Sequence, residues 1–170
     1  TSQQLQLDLP EGYQVTGSAE YHHDQSRGCR TGFSLGSGSW MYQPPEHLSL
    51  TVRSADGDEP LRIKLPTNKG VLCRQELDSA YIVMTPPGPN PEPISATIHW
   101  RSNAEPLALA YSCERMRSLT KGEIIDETHC WPNGQRGMHK AMQLAGGEAP
   151  FGQPVVLKVS LAPEIGMLGQ

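Results

Sequence analysis

No apolar run in this chain approaches the ~20 residues that a membrane-crossing helix requires, so no helical span is expected within it. No Asn-x-Ser/Thr sequon occurs: Asn68, Asn90, Asn103 and Asn133 all lack the hydroxyl two residues on. A eukaryotic secreted domain often carries one, which leans the reading toward a bacterial source. No basic patch is available to meet nucleic-acid phosphate. The densest cluster is only Arg115, Arg117 and Lys121, and the formal net charge is −4. Nucleic acid is therefore not an expected partner. No Walker loop, G-x-G-x-x-G or H-E-x-x-H is spelled anywhere, so no cofactor and no metal are expected. Aromatic residues are scarce, with 3 Trp, 5 Tyr and 2 Phe. Each exposed one therefore counts. No motif along the chain points to a known family.

Breakers, by contrast, are abundant. Seventeen Gly and 15 Pro cannot fit inside long helices, and suit short strands joined by turns. A chain of 170 residues suits one domain, taken over residues 1–170, that buries roughly 70% of its unfolded surface. It begins at Thr1 rather than Met. The expectation is that processing or cloning removed an N-terminal segment, with a signal peptide or lipid anchor as candidates.

Cys29, Cys73, Cys113 and Cys130 make an even count with no C-x-x-C pair. That pattern favours two disulfides and a periplasmic or extracellular location over a zinc site. Three connectivities are open. Loop closure is easiest for Cys113–Cys130, which leaves Cys29–Cys73.

Period-2 alternation marks strands at 5–10, 47–54, 61–66, 95–101, 107–115 and 154–163, with further candidates at 13–20, 31–35, 70–77 and 80–86. Residues 47–54 and 61–66 flank Asp56-Gly57 and read as a hairpin. Asp78-Ser79 reads as a break, and residues 86–93, with five prolines, as a stiff exposed connection. Met138, Ala141, Met142 and Ala145 recur at helical spacing before Gly146-Gly147. This predicts one short α-helix near the C-terminus, around 137–145. Residues 118–129 are ambiguous, because Thr120 and Glu123 fit a capping box that Gly122 weakens. The expected fold is an all-β antiparallel sandwich of about seven to nine short strands.

Gly32-Phe33-Ser34-Leu35-Gly36 matches G-x-S-x-G. A hydrolase elbow, however, needs a helix directly after the serine, and GSGSWMYQPPE cannot supply one. Ser34 is therefore read as a loop or strand serine. His22 and His23 in a strand would point to opposite faces, and read as polar loop residues. His99 reads as half-buried and hydrogen-bonded. Asp56, Asp58 and Glu59 read as a turn rather than a Ca²⁺ site. Trp40 and Tyr42 share a face if strand-like. Together with Arg115, Arg117 and Trp131 they are the candidate partner-binding residues, since Trp, Tyr and Arg dominate interface hot spots.

The expected function is that of a non-enzymatic secreted or periplasmic protein-binding module. It would bind and modulate or inhibit a partner such as a secreted toxin or enzyme, in the manner of an immunity protein. A carbohydrate-binding sandwich is the alternative, followed by a hydrolase using Ser34.

Overall fold

The alternation of the sequence becomes strands almost throughout the computed structural model, which describes residues 1–89, 91–132 and 144–161. In chain order they are β1 (Ser2–Asp8), β2 (Gln14–His22), β3 (Arg30–Ser34), β4 (Ser39–Tyr42), β5 (Glu46–Ser54), β6 (Leu61–Pro66), β7 (Asn68–Lys69), β8 (Gln75–Thr85), β9 (Ile94–Trp100), β10 (Ala108–Thr120), β11 (Glu123–Pro132), β12 (Leu144–Ala149) and β13 (Val155–Leu161). One sheet has the order β11-β10-β13-β1-β6. The other has the order β12-β9-β8-β2-β5, with β7 beside β8. Among the described strands, β3 and β4 pair only with each other.

The inner faces of the two sheets make the core. Leu5, Leu7, Ile63, Leu65 and Leu157 from one sheet meet Val15, Ala19, Ile82, Met84 and Ile98 from the other, all buried in one cluster. This is the expected all-β sandwich, two layers closed over apolar alternate residues. Trp100, 2% exposed, belongs to that core.

Among the described strands three pairings are parallel: β1 with β13, β10 with β13, and β12 with β9. Alternation has the same period in parallel and antiparallel strands, so it could not separate the two. Likewise, β5 and β6 do not form the hairpin read around Asp56-Gly57. They lie in opposite sheets. The turn between them is tied instead to residues 12 and 13, through Ala55 N–H to the Tyr13 carbonyl and Gly12 N–H to the Ala55 carbonyl. Asp78-Ser79 does not break a strand. It is the irregular step of the continuous β8, where the register to β2 shifts between Glu20 and Tyr21, as a β-bulge does.

The short C-terminal helix is not seen. Residues 137–143 of that expectation lie outside the described residues, and its expected cap, Gly146-Gly147, sits inside β12. A Cβ on Gly146 would lie 2.2 Å from the Thr97 carbonyl oxygen. The missing side chain lets β12 close onto β9, rather than ending a helix. The ambiguous segment 118–129 resolves into β10 and β11, joined by Lys121 (φ 51°) and Gly122 (φ 80°). Two successive positive φ values make a hairpin turn of the kind that matches strand twist.

The registers define two ends. His22 lies opposite Glu76 and Gln14 opposite Thr85. Thus β2 runs toward the start of β8, and β3–β4 follow at that end, called here the hairpin end. β9 starts beside the finish of β8, with Met84 opposite Ile94. The proline-rich loop 86–93 therefore lies at the other end. Thr128 of β11 bridges to Pro91 there. From that point the β10–β11 ribbon continues past the last β13 partner, Cys113–Leu161, and projects as an arm.

Candidate functional site at the two ends of the sandwich

At the hairpin end, Cys29 closes a 3-10 turn (Arg27–Cys29) and is bonded to Cys73 in the loop before β8. Phe33 and Trp40 are direct cross-strand partners and meet edge to face, 5.2 Å between centroids at 70°. The Arg30 guanidinium lies 4.3 Å from the centroid of Trp40, a cation–π distance. Tyr42, opposite Arg30, stands 6.0 Å from His23. Trp40 and Tyr42 thus share one face, as alternate strand residues must, in a ridge with Phe33, Arg30 and His23.

That ridge is not a flat platform. The edge-to-face pair and the guanidinium against Trp40 leave no coplanar aromatics of the kind a stacked sugar uses. Ser34 sits at the finish of β3, and β4 follows after a short turn with no helix. Its Oγ accepts the Ser37 N–H at 3.4 Å. The hydrolase elbow has neither its helix nor, among the described residues, a histidine bonded to the serine.

His22 and His23 part company here. His22, the last residue of β2, bonds Glu20 through Nε2 and lies 4.0 Å from Asp78, which in turn holds Arg101 at 3.1 Å. The other histidine turns inward: His23 Nε2 donates to the Gln43 carbonyl, and Nδ1 accepts the Gln25 N–H. The side chains of His23, Cys29 and Cys73 come within 4.8 Å of one another. The two sulfurs, however, are bonded to each other and offer no thiolate for a metal. A polar cleft of about 420 Å³ lies alongside, lined by His22, Asp24, Arg74, Glu76 and Phe151 among others.

At the arm end, Cys113 and Cys130 face each other across β10 and β11 and are disulfide-bonded. Both bridges are buried, and the pairing is the one that loop closure favours. Past Cys113, alternate residues of the arm bring Arg115, Arg117 and Leu119 onto one face, opposite Thr128, Asp126 and Ile124. Arg117 Nε donates to Asp126 at 3.0 Å. Leu119 and Ile124 form an exposed apolar pair at the tip. His129 holds Glu92 of the proline-rich loop at 3.0 Å, which braces the arm against that loop.

Between arm and loop lies a cleft of about 220 Å³, lined by Glu11, Tyr13, Pro86, Pro87, Arg115 and Leu161 among others. The rings of Pro86, Pro87 and Tyr13 make it apolar, and Glu11 and Arg115 bring one charge of each sign. Burial pushes the Tyr13 hydroxyl up to about 12, and that hydroxyl has no hydrogen-bond partner among the described residues.

The five candidate residues therefore do not form one patch. Trp40 and Tyr42 are at the hairpin end, Arg115 and Arg117 on the arm. Trp131 lies at the root of the arm on its other face, stacked on His129 at 6.2 Å. Phe33, Arg30 and the cleft beneath the arm were missed. The signal for the first two was the uncharged stretch after Arg30. The cleft has no local signal, because positions 11–13, 86–88, 115, 128 and 161 meet only in three dimensions. The remaining candidates fall in place as turns and core. Asp56 Oδ1 accepts the Asp58 and Glu59 N–H groups, which holds its carboxyl below the usual range. His99 is half-buried, but its Nδ1 has no partner among the described residues. No protein-family model, characterised protein or solved structure matches this chain.

Proposed function

We propose that the chain is a non-enzymatic binding module that works outside the cytosol. Its arm end grips a partner protein and modulates or blocks it, as immunity proteins and inhibitors of secreted bacterial enzymes do. The observation that carries this reading is the cleft between the arm and the proline-rich loop. It is apolar at Tyr13, Pro86, Pro87 and Leu161 and charged at Arg115 and Glu11. Interface anchors bury aromatic, apolar or Arg groups in pockets of this kind. The arm is held by a disulfide at its root and the His129–Glu92 contact along its flank, and a loop ordered in advance loses less entropy on binding. Two buried disulfides suit an oxidising compartment.

The test begins with the immobilised chain and the secreted and periplasmic proteins of its source. A specific partner should be retained by the wild type and lost from Arg115→Ala and Leu119→Asp. Calorimetry with that partner should show a loss of about 2 kcal/mol, roughly thirtyfold in affinity, at a true anchor. Binding within a few tenths of a kcal/mol of wild type for alanine at Arg115, Arg117 and Trp131 would refute the surface. Turnover of an ester, peptide or glycan, abolished by a cleft substitution, would refute the non-enzymatic reading itself.

A further inference from the structure

Residues 31–42, TGFSLGSGSWMY, contain no charged side chain, yet they form a hairpin that pairs with no other described strand. Its apolar groups point in every direction. Phe33 and Trp40 occupy one face, and Met41 lies on the other beside Gly32. Leu35 stands at the turn, 91% exposed. A surface that docks on a folded protein needs one apolar face and keeps a polar back. This ribbon has no charged back to leave in water.

Its turn is also closed on itself. Gly38 N–H donates to the Ser34 carbonyl at 2.9 Å, Ser37 N–H to Ser34 Oγ, and the Ser37 and Ser39 hydroxyls bond each other at 2.7 Å. These bonds leave the tip of the turn with fewer polar groups to desolvate where it meets the interface. Below the turn stand Trp40, Tyr42 and Arg30. The Arg30 guanidinium rests on Trp40, and no carboxylate pairs with it among the described residues. A second apolar loop at the same end carries Val71, 97% exposed, and Leu72, 86% exposed. Both precede Cys73, which is bonded to Cys29 at the hairpin's root.

We propose that the β3–β4 hairpin is a lipid-interface anchor for the surface of a phospholipid bilayer. Leu35 and the Phe33–Trp40 pair enter the boundary between headgroups and acyl chains, a depth of roughly 5–10 Å. At ~3.3 Å per residue, Arg30 lies roughly 13 Å along the strand from Ser34. Its side chain reaches back along the ribbon, so the cation lies 4.3 Å from the Trp40 ring; at the headgroup boundary it meets lipid phosphate beside that ring, with Tyr42 further out in the zone that aromatic belts occupy. The arm end points the opposite way, so this anchoring is independent of the partner reading above.

The test is flotation of the full chain with vesicles of phosphatidylethanolamine and phosphatidylglycerol. Trp fluorescence is read in parallel with lipids brominated along the acyl chain. The wild type should float, and its emission should shift to the blue and be quenched. Leu35→Asp, at a position too exposed to affect folding, should lower the floating fraction at least tenfold. Trp40→Phe should abolish the quenching, because Trp100 is buried and Trp131 lies in the other sheet. Arg115→Ala should float like wild type whatever it does to a protein partner. Failure of the wild type to float, flotation unaffected by Leu35→Asp, or quenching that survives Trp40→Phe would each overturn the proposal. Loss of a captured protein in Leu35→Asp without any vesicle binding would overturn it too, and would make the hairpin a protein-docking element.

Discussion

The Cys29–Cys73 bridge offers the sharpest energetic test of the fold. It spans 44 residues of sequence, against 17 for Cys113–Cys130. On the chain-entropy account, closing loops of these lengths in the unfolded state is worth about 4 kcal/mol and about 3 kcal/mol respectively. Cys29 and Cys73 are both buried, so replacing both by Ala also forfeits some packing, and the total should not fall below the entropic figure. The assay is equilibrium unfolding in guanidinium chloride followed by tryptophan emission. With a slope of about 4 kcal/mol per molar for a chain of this size, the midpoint of Cys29→Ala/Cys73→Ala should fall by about 1 M. Because the term acts on the unfolded ensemble, the slope should also rise as the unlinked chain expands. Cys113→Ala/Cys130→Ala should cost less by the difference in loop length. A shift below about 0.3 M for the first variant, or a larger cost for the second, would refute the reasoning and place the stabilisation in native contacts.

Tyr13 and Tyr111 are buried, their hydroxyls lack partners among the described residues, and burial pushes both up to about 12. The neutral form is favoured in the folded state, so this stability is intact below the unfolded value near 10 and is lost as pH climbs through about 12. Alkaline denaturation read at the phenolate absorbance should therefore be cooperative in that window, and flattened in Tyr13→Phe/Tyr111→Phe. At neutral pH that double variant should be as stable as wild type or up to ~1 kcal/mol better per site, as thermal unfolding would show; a clear loss would mean the hydroxyls are satisfied. Lys121 holds φ 51° in the arm turn, where Asn followed by Gly is the favoured pair. Lys121→Asn should stabilise the arm by about 0.5–1 kcal/mol, seen as slower amide exchange along β10 and β11, and unchanged exchange would count against the turn assignment.

Strands with one buried face were legible in the sequence wherever alternation ran unbroken. Residues 61–66, 95–101 and 154–163 became β6, β9 and β13 within a residue or two, and 5–10 became β1, which starts three residues earlier. Alternation records which side of a strand is wet. It does not record which sheet the strand joins, so β5 and β6 looked like partners when they lie in opposite layers. Local chemistry misled at two places. Thr120 to Glu123 fits a helix start and a tight turn equally well, and the positive φ of Lys121 settles it only in three dimensions. Gly146-Gly147 fits a helix cap, whereas contact with Thr97 requires glycine in a strand. Of the candidate residues, the shared face of Trp40 and Tyr42 followed from strand periodicity. The separation of Arg115 and Arg117 from Trp131 turned on knowing that all three lie on one ribbon.

The parallel pairing of β1 with β13 has a mechanical consequence. The two strands lie side by side, with Leu5 opposite Val155 and Asp8 opposite Lys158, and both run from the hairpin end toward the arm end. Tension applied between Thr1 and Leu161 would pull the strands along their own length in opposite senses. The ladder bonds between them would then be loaded together in shear, and several must fail at once before either strand moves. Pulling the arm at Gly122 along its own axis would draw β10 and β11 together and pass the load in shear to the β10–β13 ladder. A chain held on a surface at one end and loaded by a partner at the other would meet that force along its stiffest direction.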